Sequence, residues 1–106
     1  MKFTKAEYLL QCLAEECIDV AHAISRCQRF GLNVKQAGIN STCKEQLAME
    51  VSGMLAIVEL ICEEPELALA DVFSESDDKR EQAMVDKKKS AVLAMIEESR
   101  RLGRIA

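Results

Sequence analysis

The 106-residue sequence contains no tryptophan, one proline and four glycines, and aromatic residues make up only 4% of it. So few prolines and glycines argue against an all-β fold, which needs many tight turns. The scarcity of aromatic side chains predicts a small, aliphatic core. No apolar run reaches the roughly 18 residues that a membrane-spanning helix requires, and the first ten residues lack the continuous apolar core of a signal peptide. We therefore expect a cytoplasmic protein with no membrane segment.

The charge balance is acidic, because 14 Lys and Arg against 18 Asp and Glu give a formal net charge of −4. A general nucleic-acid-binding protein needs clustered basic residues to contact the phosphate backbone, so we expect no direct binding of nucleic acid. The five cysteines are odd in number and none forms a CxxC pair. We interpret them as reduced thiols in helix cores rather than as a disulfide framework or a zinc site.

Helical periodicity predicts an all-α fold made of one domain over residues 1–106. The first helix runs from about residue 4 to residue 30 and is closed by Gly31. Its expected buried stripe consists of Leu10, Leu13, Cys17, Val20, Ile24 and Cys27. The second helix opens at a capping-box signature, Thr42 and Glu45, and stops before Pro65. Its expected buried face consists of Leu47, Val51, Met54, Leu55, Val58, Ile61 and Cys62.

Two further helices are predicted in the C-terminal part of the chain. Residues 66–73 favour a short third helix, residues 74–78 a polar turn, and residues 77–102 a long last helix that Gly103 ends. The expected buried stripe of the last helix consists of Val85, Val92, Met95, Ile96 and Leu102. We expect its lysines at 87–89 to be solvated. The expected architecture is a helical bundle of two long helices, a short helix and a long C-terminal helix.

Polar residues on the first helix form a stripe of their own. At about 100° per residue, one line contains Glu15, Asp19, His22 and Arg26, with Glu16 beside it. We expect this stripe to point away from the apolar face. Taken alone, such a stripe is typical of a solvated surface, and a lone histidine is typical of a neutral hydrogen-bonding residue.

The second helix adds a carboxylate on an unusual face. Glu50 shares a line with Gln46, Gly53 and Ile57, and this mixed line predicts the close approach of another element. Carboxylates on two facing helices can hold Mg²⁺, which takes oxygen ligands in octahedral geometry. Bound metal ions neutralise phosphate charge and lower the pKa of an attacking water.

The order of several short motifs resembles a known family. EECIDV (15–20) resembles the EExxE motif of the MazG-like, all-α nucleoside triphosphate pyrophosphohydrolases, and MEVSGMLAIVELI (49–61) resembles their second motif, ExxD. SRCQRFGL (25–32), NSTCKEQL (40–47) and DKKKSAVLAMIEESRRLG (86–103) are similar to connecting and terminal segments of small, phage-type members. The resemblance covers nearly the whole chain in the family's order.

This resemblance implies a dimeric or tetrameric bundle that hydrolyses a nucleoside triphosphate or related nucleotide to monophosphate and pyrophosphate. Mg²⁺, or Mn²⁺ in its place, would be the cofactor, and a phage-encoded chain would act in the host cytoplasm. The implied catalytic carboxylates are Glu15, Glu16, Asp19 and Glu50, of which Glu16, Asp19 and Glu50 would bind the metal. The residues expected to bind the nucleotide phosphates are His22, Arg26 and Arg29.

The main departure from the family pattern is Gly53, which stands where the ExxD motif has its aspartate. Glu59 cannot replace that ligand, because nine residues of helix place it about 180° from Glu50. A missing ligand predicts weaker metal binding and slower turnover. Three functions stay open: an impaired pyrophosphohydrolase, a hydrolysis-deficient protein that sequesters or senses a nucleotide, and a helical interaction protein.

Overall fold

The computed structural model describes residues 2–67 and 78–106. Helix α1 spans Lys5–Phe30, helix α2 spans Cys43–Cys62, and helix α3 spans Asp78–Arg101. A short 3-10 helix, Pro65–Leu67, follows α2. No β-strand occurs within the described ranges, so the all-α prediction is confirmed there. None of the helices described is both long enough and apolar enough to cross a membrane.

Two compact units make up the chain, residues 1–69 with α1 and α2, and residues 70–106 with α3. The single domain and the MazG-like bundle therefore stay predictions. The short third helix predicted at 66–73 is present only as Pro65–Leu67, and residues 68–73 lie outside the described residues. Most of the predicted polar turn, residues 74–77, also lies outside them.

Both helices of the α1–α2 unit begin with a capping box. The backbone N–H of Glu45 donates to the Thr42 hydroxyl over 3.1 Å, and the Thr42 backbone N–H donates to the Glu45 carboxylate over 3.3 Å. Thr4 and Glu7 form the same pair of bonds at the start of α1. Each box satisfies backbone donors that a helix start leaves without partners. The predicted box at Thr42 is confirmed.

The connection between the two helices folds back on itself and makes them an antiparallel hairpin. Gly31 ends α1 at a φ of +101°, in the left-handed region that glycine adopts without strain. The backbone N–H groups of Cys43 and Lys44 then donate to the carbonyls of Val34 and Leu32, both over 2.9 Å. At the opposite end of the hairpin, Lys5 forms a 3.5 Å ion pair with Glu64.

The residues on the covered face of α1 recur every three or four positions along the helix. It consists of the buried Ala6, Leu9, Ala23 and Cys27 and the half-buried Leu13, Glu16 and Val20. The predicted stripe is thus confirmed for Leu13, Val20 and Cys27 but wrong for Leu10, Cys17 and Ile24, which are exposed. The prediction followed the largest apolar side chains, whereas the covered face includes two alanines that allow a close approach of the helices.

Most of the predicted α2 face is confirmed. Ile61 is buried, whereas Leu47, Val51, Met54, Val58 and Cys62 are half-buried. Leu55 is the exception, with 52% of its surface exposed, because it lies at the edge of this face, about 70° around the helix from the centre of the other six. All five cysteines are free thiols, as predicted; Cys27 and Cys43 are buried and Cys17 is exposed.

Helix α3 ends as the sequence predicts, near Gly103. The N–H of Arg104 donates to the Ser99 carbonyl over 2.8 Å and that of Gly103 to the Arg100 carbonyl over 3.0 Å, with Gly103 at a φ of +74°. This pair of bonds is a Schellman motif. The lysines at 87–89 are exposed, as expected.

The predicted buried stripe of α3 is wrong for four of its five members. Ile96 is half-buried, but the exposed ones are Val85, Val92, Met95 and Leu102. The physical reason lies in the unit itself, because the described part of residues 70–106 contains no second helix against which α3 could pack.

Replacing Thr42 with alanine should lower the free energy of unfolding by about 1 kcal/mol, because the cap of α2 is lost. The Thr42 hydroxyl and backbone N–H both donate to Glu45 and hold the pKa of that carboxyl below its ordinary value of 4.5. A lowered pKa stabilises the fold at pH values above the unfolded pKa, and this contribution is lost as the pH falls through the folded value. The difference in the free energy of unfolding between wild type and Thr42→Ala should therefore be constant from about pH 5 to 8, where carboxylates are ionised. It should become smaller at lower pH.

Urea unfolding followed by circular dichroism measures this effect. Thr42→Ser is the matched control, since serine keeps the capping hydroxyl and should unfold like the wild type. Equal destabilisation by both substitutions would show that the hydroxyl is not what stabilises the start of α2.

Candidate metal site and adjoining pocket

Three carboxylates from two helices meet in the α1–α2 hairpin. Glu16 and Asp19 lie one turn apart on α1, and Glu50 lies on α2. One carboxylate oxygen from each lies within 4.8 Å of the others. Glu16 and Glu50 are half-buried, and Asp19 is exposed. These are the three residues that the sequence predicts as metal ligands, and we call them the carboxylate triad.

Gly53 brings Glu16 close to α2. A Cβ atom built on Gly53 would lie 2.9 Å from the Glu16 carboxylate oxygen Oε2 and 3.6 Å from its Cδ. A side chain at position 53 would therefore require the Glu16 carboxylate to shift. The predicted close approach to the Glu50 line is confirmed, and the approaching element is α1.

The position of Glu16 also corrects one expectation. The acidic stripe was predicted to point away from the apolar face with Glu16 beside it, and Glu15, Asp19 and His22 of the stripe are exposed, whereas Glu16 is part of the covered face of α1. The predicted face was centred on the larger side chains, about 40° around the helix from the centre of the covered face. Asp19 lies at the edge of this contact and keeps access to solvent.

The electrostatics of the triad favour a cation. Two like charges near 4 Å repel each other by about 1 kcal/mol in water, and by more where the dielectric constant is lower. Among the described residues, the ion pairs formed by Lys and Arg involve none of the three carboxylates. A divalent cation would convert this repulsion into attraction.

The donor set indicates which cation would bind. Mg²⁺ and Mn²⁺ are hard ions that prefer carboxylate and water oxygens. Three monodentate carboxylates would supply half of an octahedral shell, leaving the remaining positions to water or phosphate oxygens. The residues present thus fit a magnesium-type site with room for a phosphorylated ligand.

Glu15 lies outside the triad. Its side chain is exposed on α1, and it is not among the three residues whose ligand atoms meet. Its predicted catalytic role stays a prediction.

A pocket of about 310 Å³ lies one helical turn beyond Asp19 along α1. Its lining residues are His22, Ser25, Arg26, Arg29 and Phe30 of α1 and Gln36 of the connection to α2. The Arg29 guanidinium lies over the Phe30 ring, with Cζ 5.3 Å from the ring centroid. The structure thus brings together His22, Arg26 and Arg29, the three residues predicted to bind phosphate. We call this concavity the basic pocket.

Three lining residues of the basic pocket were not predicted. Ser25 and Phe30 follow His22 and Arg26 at spacings of three and four, so helical periodicity could have found them. Gln36 could not be found this way, because its place depends on how residues 31–42 fold back.

Comparison of the chain with protein-family models, with curated proteins and with solved structures finds no match.

Replacing Gly53 with alanine should weaken Mn²⁺ binding by about tenfold or more, which is typical of disturbed outer-shell packing at a metal site. The added methyl group would displace the Glu16 carboxylate from its place against α2. The same substitution should not destabilise the helix, because alanine favours helix formation over glycine by about 1 kcal/mol. Calorimetric titration with Mn²⁺ and thermal unfolding measure the two effects separately.

Ser52→Ala is the matched control, since Ser52 is an exposed neighbour on α2 and should leave Mn²⁺ affinity unchanged. Mn²⁺ affinity that is the same in Gly53→Ala and wild type would contradict the dependence of the site on the Glu16–Gly53 contact.

Proposed function

We propose that this chain is a Mg²⁺-dependent, MazG-like nucleotide pyrophosphohydrolase that converts a nucleoside triphosphate or related nucleotide to its monophosphate and pyrophosphate. The observation that carries the proposal is the meeting of Glu16, Asp19 and Glu50 within 4.8 Å. Further support comes from the ordered motifs of the sequence and from the basic pocket beside the triad.

The proposed reaction requires no covalent bond between the protein and its substrate. A water attacks the α-phosphorus and loses a proton to solvent, the bond from that phosphorus to the bridging oxygen breaks, and pyrophosphate leaves with the electron pair. When bound, the metal would neutralise phosphate charge and lower the pKa of the attacking water. The triad would hold the metal, and only through it the reacting phosphate, at the hairpin, and the half-buried Glu16 and Glu50 would limit the freedom of the complex.

A hydrolysis-deficient nucleotide-binding protein is the second candidate, and Gly53 is the observation that favours it. A site with three carboxylates has one negative charge and one ligand fewer than the family pattern. Phosphate contacts in the basic pocket would remain, so binding would survive a loss of turnover. Such a protein would sequester or sense its nucleotide.

We also propose that the chain forms a homodimer or homotetramer through the outer face of α2. Seven exposed residues lie between positions 48 and 60, and only one of them is charged: Ala48, Met49, Ser52, Leu55, Ala56, Glu59 and Leu60. Met49 alone exposes 68% of its surface. Because a helix that is apolar on every side is ordinarily buried, a second copy is the expected cover. A helical interaction protein would use the same face for a different partner.

A reducing compartment is part of the proposal. Five free cysteines in so short a chain favour the cytoplasm, which would be that of the host for a phage-encoded protein.

Purified protein incubated with Mg²⁺ and a panel of nucleoside triphosphates should release pyrophosphate. Glu16→Gln and Glu50→Gln each remove a charged ligand and should lower the rate by about a hundredfold or more, as losses of positioned charge at active sites do. Glu59→Gln is the matched control, because Glu59 lies on the exposed side of α2 and should leave the rate unchanged.

Pyrophosphate release and nucleotide binding together distinguish the three candidate functions. Saturable nucleotide binding without release from any nucleotide would refute the enzyme and favour the sequestering protein. Neither binding nor release would leave the interaction protein.

Replacing Ala56 with glutamate should dissociate the oligomer, because it places a second charge in the centre of the outer α2 face, where Glu59 is the only one now. Ala37→Glu is the matched control, since Ala37 is exposed in the connection between the helices and should leave the assembly intact. Sedimentation velocity measures the masses. A wild-type protein that sediments as a monomer would contradict the proposed assembly.

A further inference from the structure

The side of α1 that points away from the carboxylate triad is exposed and uncharged. Its residues are spaced alternately by four and three positions, which is the pattern of a helix that presents one seam to another helix. No charged residue occupies this line from residue 10 to residue 28. Its six members are all exposed: Leu10, Ala14, Cys17, Ala21, Ile24 and Gln28. We call them the α1 seam.

The α1 seam is more continuous than an ordinary protein surface. Single apolar residues are common on surfaces, whereas a continuous apolar stripe is typical of a face that a partner covers. Leu10 and Ile24 expose 45% and 42% of their surface, and Ile18 beside them exposes 55%. The sequence predicts burial for Leu10, Cys17 and Ile24, but α2 covers the neighbouring face of α1. The seam therefore has the pattern of a packed face without a packing partner among residues 2–67.

The alternation of large and small residues indicates how a second copy would pair with the seam. Ala14 and Ala21 alternate with Leu10, Cys17 and Ile24. Two parallel copies would place alanine against alanine at some levels and isoleucine against isoleucine at others, which leaves gaps in one place and crowding in another. In an antiparallel pair, Cys17 would pack against Ala21 of the second copy. Ile24 would pack against Ala14 in the same way, so that large residues meet small ones.

Charges at the two ends of α1 favour the same direction. Glu7 lies in the first turn of the helix and Arg29 in the last, and both lie on the flank of the seam that points away from α2. When Cys17 is level with Ala21 of the second copy, Glu7 lies about 3 Å along the helix axis from the level of Arg29 of that copy. The two-fold symmetry of the pair produces this match twice. Parallel copies would instead place like charges side by side, where they repel.

The edge of α2 widens the face that a second copy would cover. Asp19 and Glu50 meet in the triad and so mark one side of the hairpin. The seam and the exposed Leu55 lie on the other side, beyond the covered faces of α1 and α2. The seam is about 27 Å long, and the face that it forms with the edge of α2 is about 20 Å wide. Two copies would bury about 1,000 Å² in total, which reaches the lower range of specific interfaces.

We propose that two copies of this chain pair through the α1 seam, with their first helices antiparallel. The two triads then face outward on opposite sides of the pair, and each stays open to its ligand. The seam is a different surface from the outer face of α2, and use of both surfaces would produce a tetramer made of two pairs. Pairing through the seam does not depend on hydrolysis of a nucleotide.

Replacing Ala21 with glutamate should halve the mass of the wild-type assembly, because the added charge would face an uncharged level of the second copy. Ala37→Glu is the matched control, since Ala37 is exposed in the connection between the helices, and its mass should be unchanged. Ala56→Glu, on the outer face of α2, should leave pairs joined by the seam, and the double variant should be a monomer. Sedimentation velocity measures the masses, and circular dichroism checks that α1 still forms.

Disulfide cross-linking tests the direction of the pair without adding a charge. Ala21→Cys places a thiol level with Cys17 of the second copy, so oxidation by copper phenanthroline should link the chains into dimers on a non-reducing gel. Wild-type protein should form far fewer dimers, because Cys17 is level with Cys17 of the second copy only in a parallel pair. Equal linking of the wild type and Ala21→Cys would overturn the antiparallel direction.

The outcomes also separate the seam from the proposed function. An Ala21→Glu variant of unchanged mass would overturn pairing through the seam, even if the protein hydrolyses nucleotides. A wild-type monomer in which Cys17 reacts slowly with a thiol reagent would overturn it too, and would show that another part of the same chain covers the seam. A mass halved by Ala21→Glu would support the pairing even if no nucleotide is hydrolysed.

Discussion

The site depends on how closely α1 approaches α2 at Gly53. Because this residue has no side chain, the Glu16 carboxylate lies against the α2 backbone, 2.9 Å from where a Cβ would be. Ala6 and Ala23, both buried on the same face of α1, are small enough to keep the two helices near each other along their length. Only at such a short separation can Asp19 on one helix and Glu50 on the other contribute to a single cluster. The candidate metal site is thus a product of helix packing and not of the motifs alone.

This packing requires a defined register between α1 and α2, and contacts at both ends of the hairpin fix that register. The Lys5–Glu64 ion pair and the Glu16–Gly53 contact define the same register, since Glu16 lies eleven residues after Lys5 and Gly53 lies eleven residues before Glu64. At the other end, the bonds from Cys43 and Lys44 to Val34 and Leu32 start α2 at a set position relative to α1. A shift of one residue would rotate Glu50 by about 100° away from Glu16. The connection therefore contributes to the site, although it contains no ligand of the proposed metal.

The sequence predicted the parts of this arrangement that local rules govern. Thr42 and Glu45 form a capping box whatever the rest of the chain does, and the spacing of Glu16 and Asp19 places both on one side of a helix. The face of α1 was predicted about 40° around the helix from its true centre, because alanines carry little hydrophobic signal although they decide how closely helices approach. The meeting of Glu50 with Glu16 was expected only from a resemblance and a mixed helix face. Gln36 was not expected at all, since its position follows from backbone hydrogen bonds over residues 31–42.

Gly53 has two effects on the site, and they act in opposite directions. In the family pattern its position provides a fourth carboxylate, so glycine removes one ligand and one negative charge. In this structure the glycine also gives the Glu16 carboxylate its place, which a larger residue would take away. Adding an aspartate at position 53 would therefore not simply restore a fourth ligand, because its Cβ and the Glu16 oxygen would compete for one space and their charges would repel. The three carboxylates thus form a set that is built around the missing side chain of Gly53.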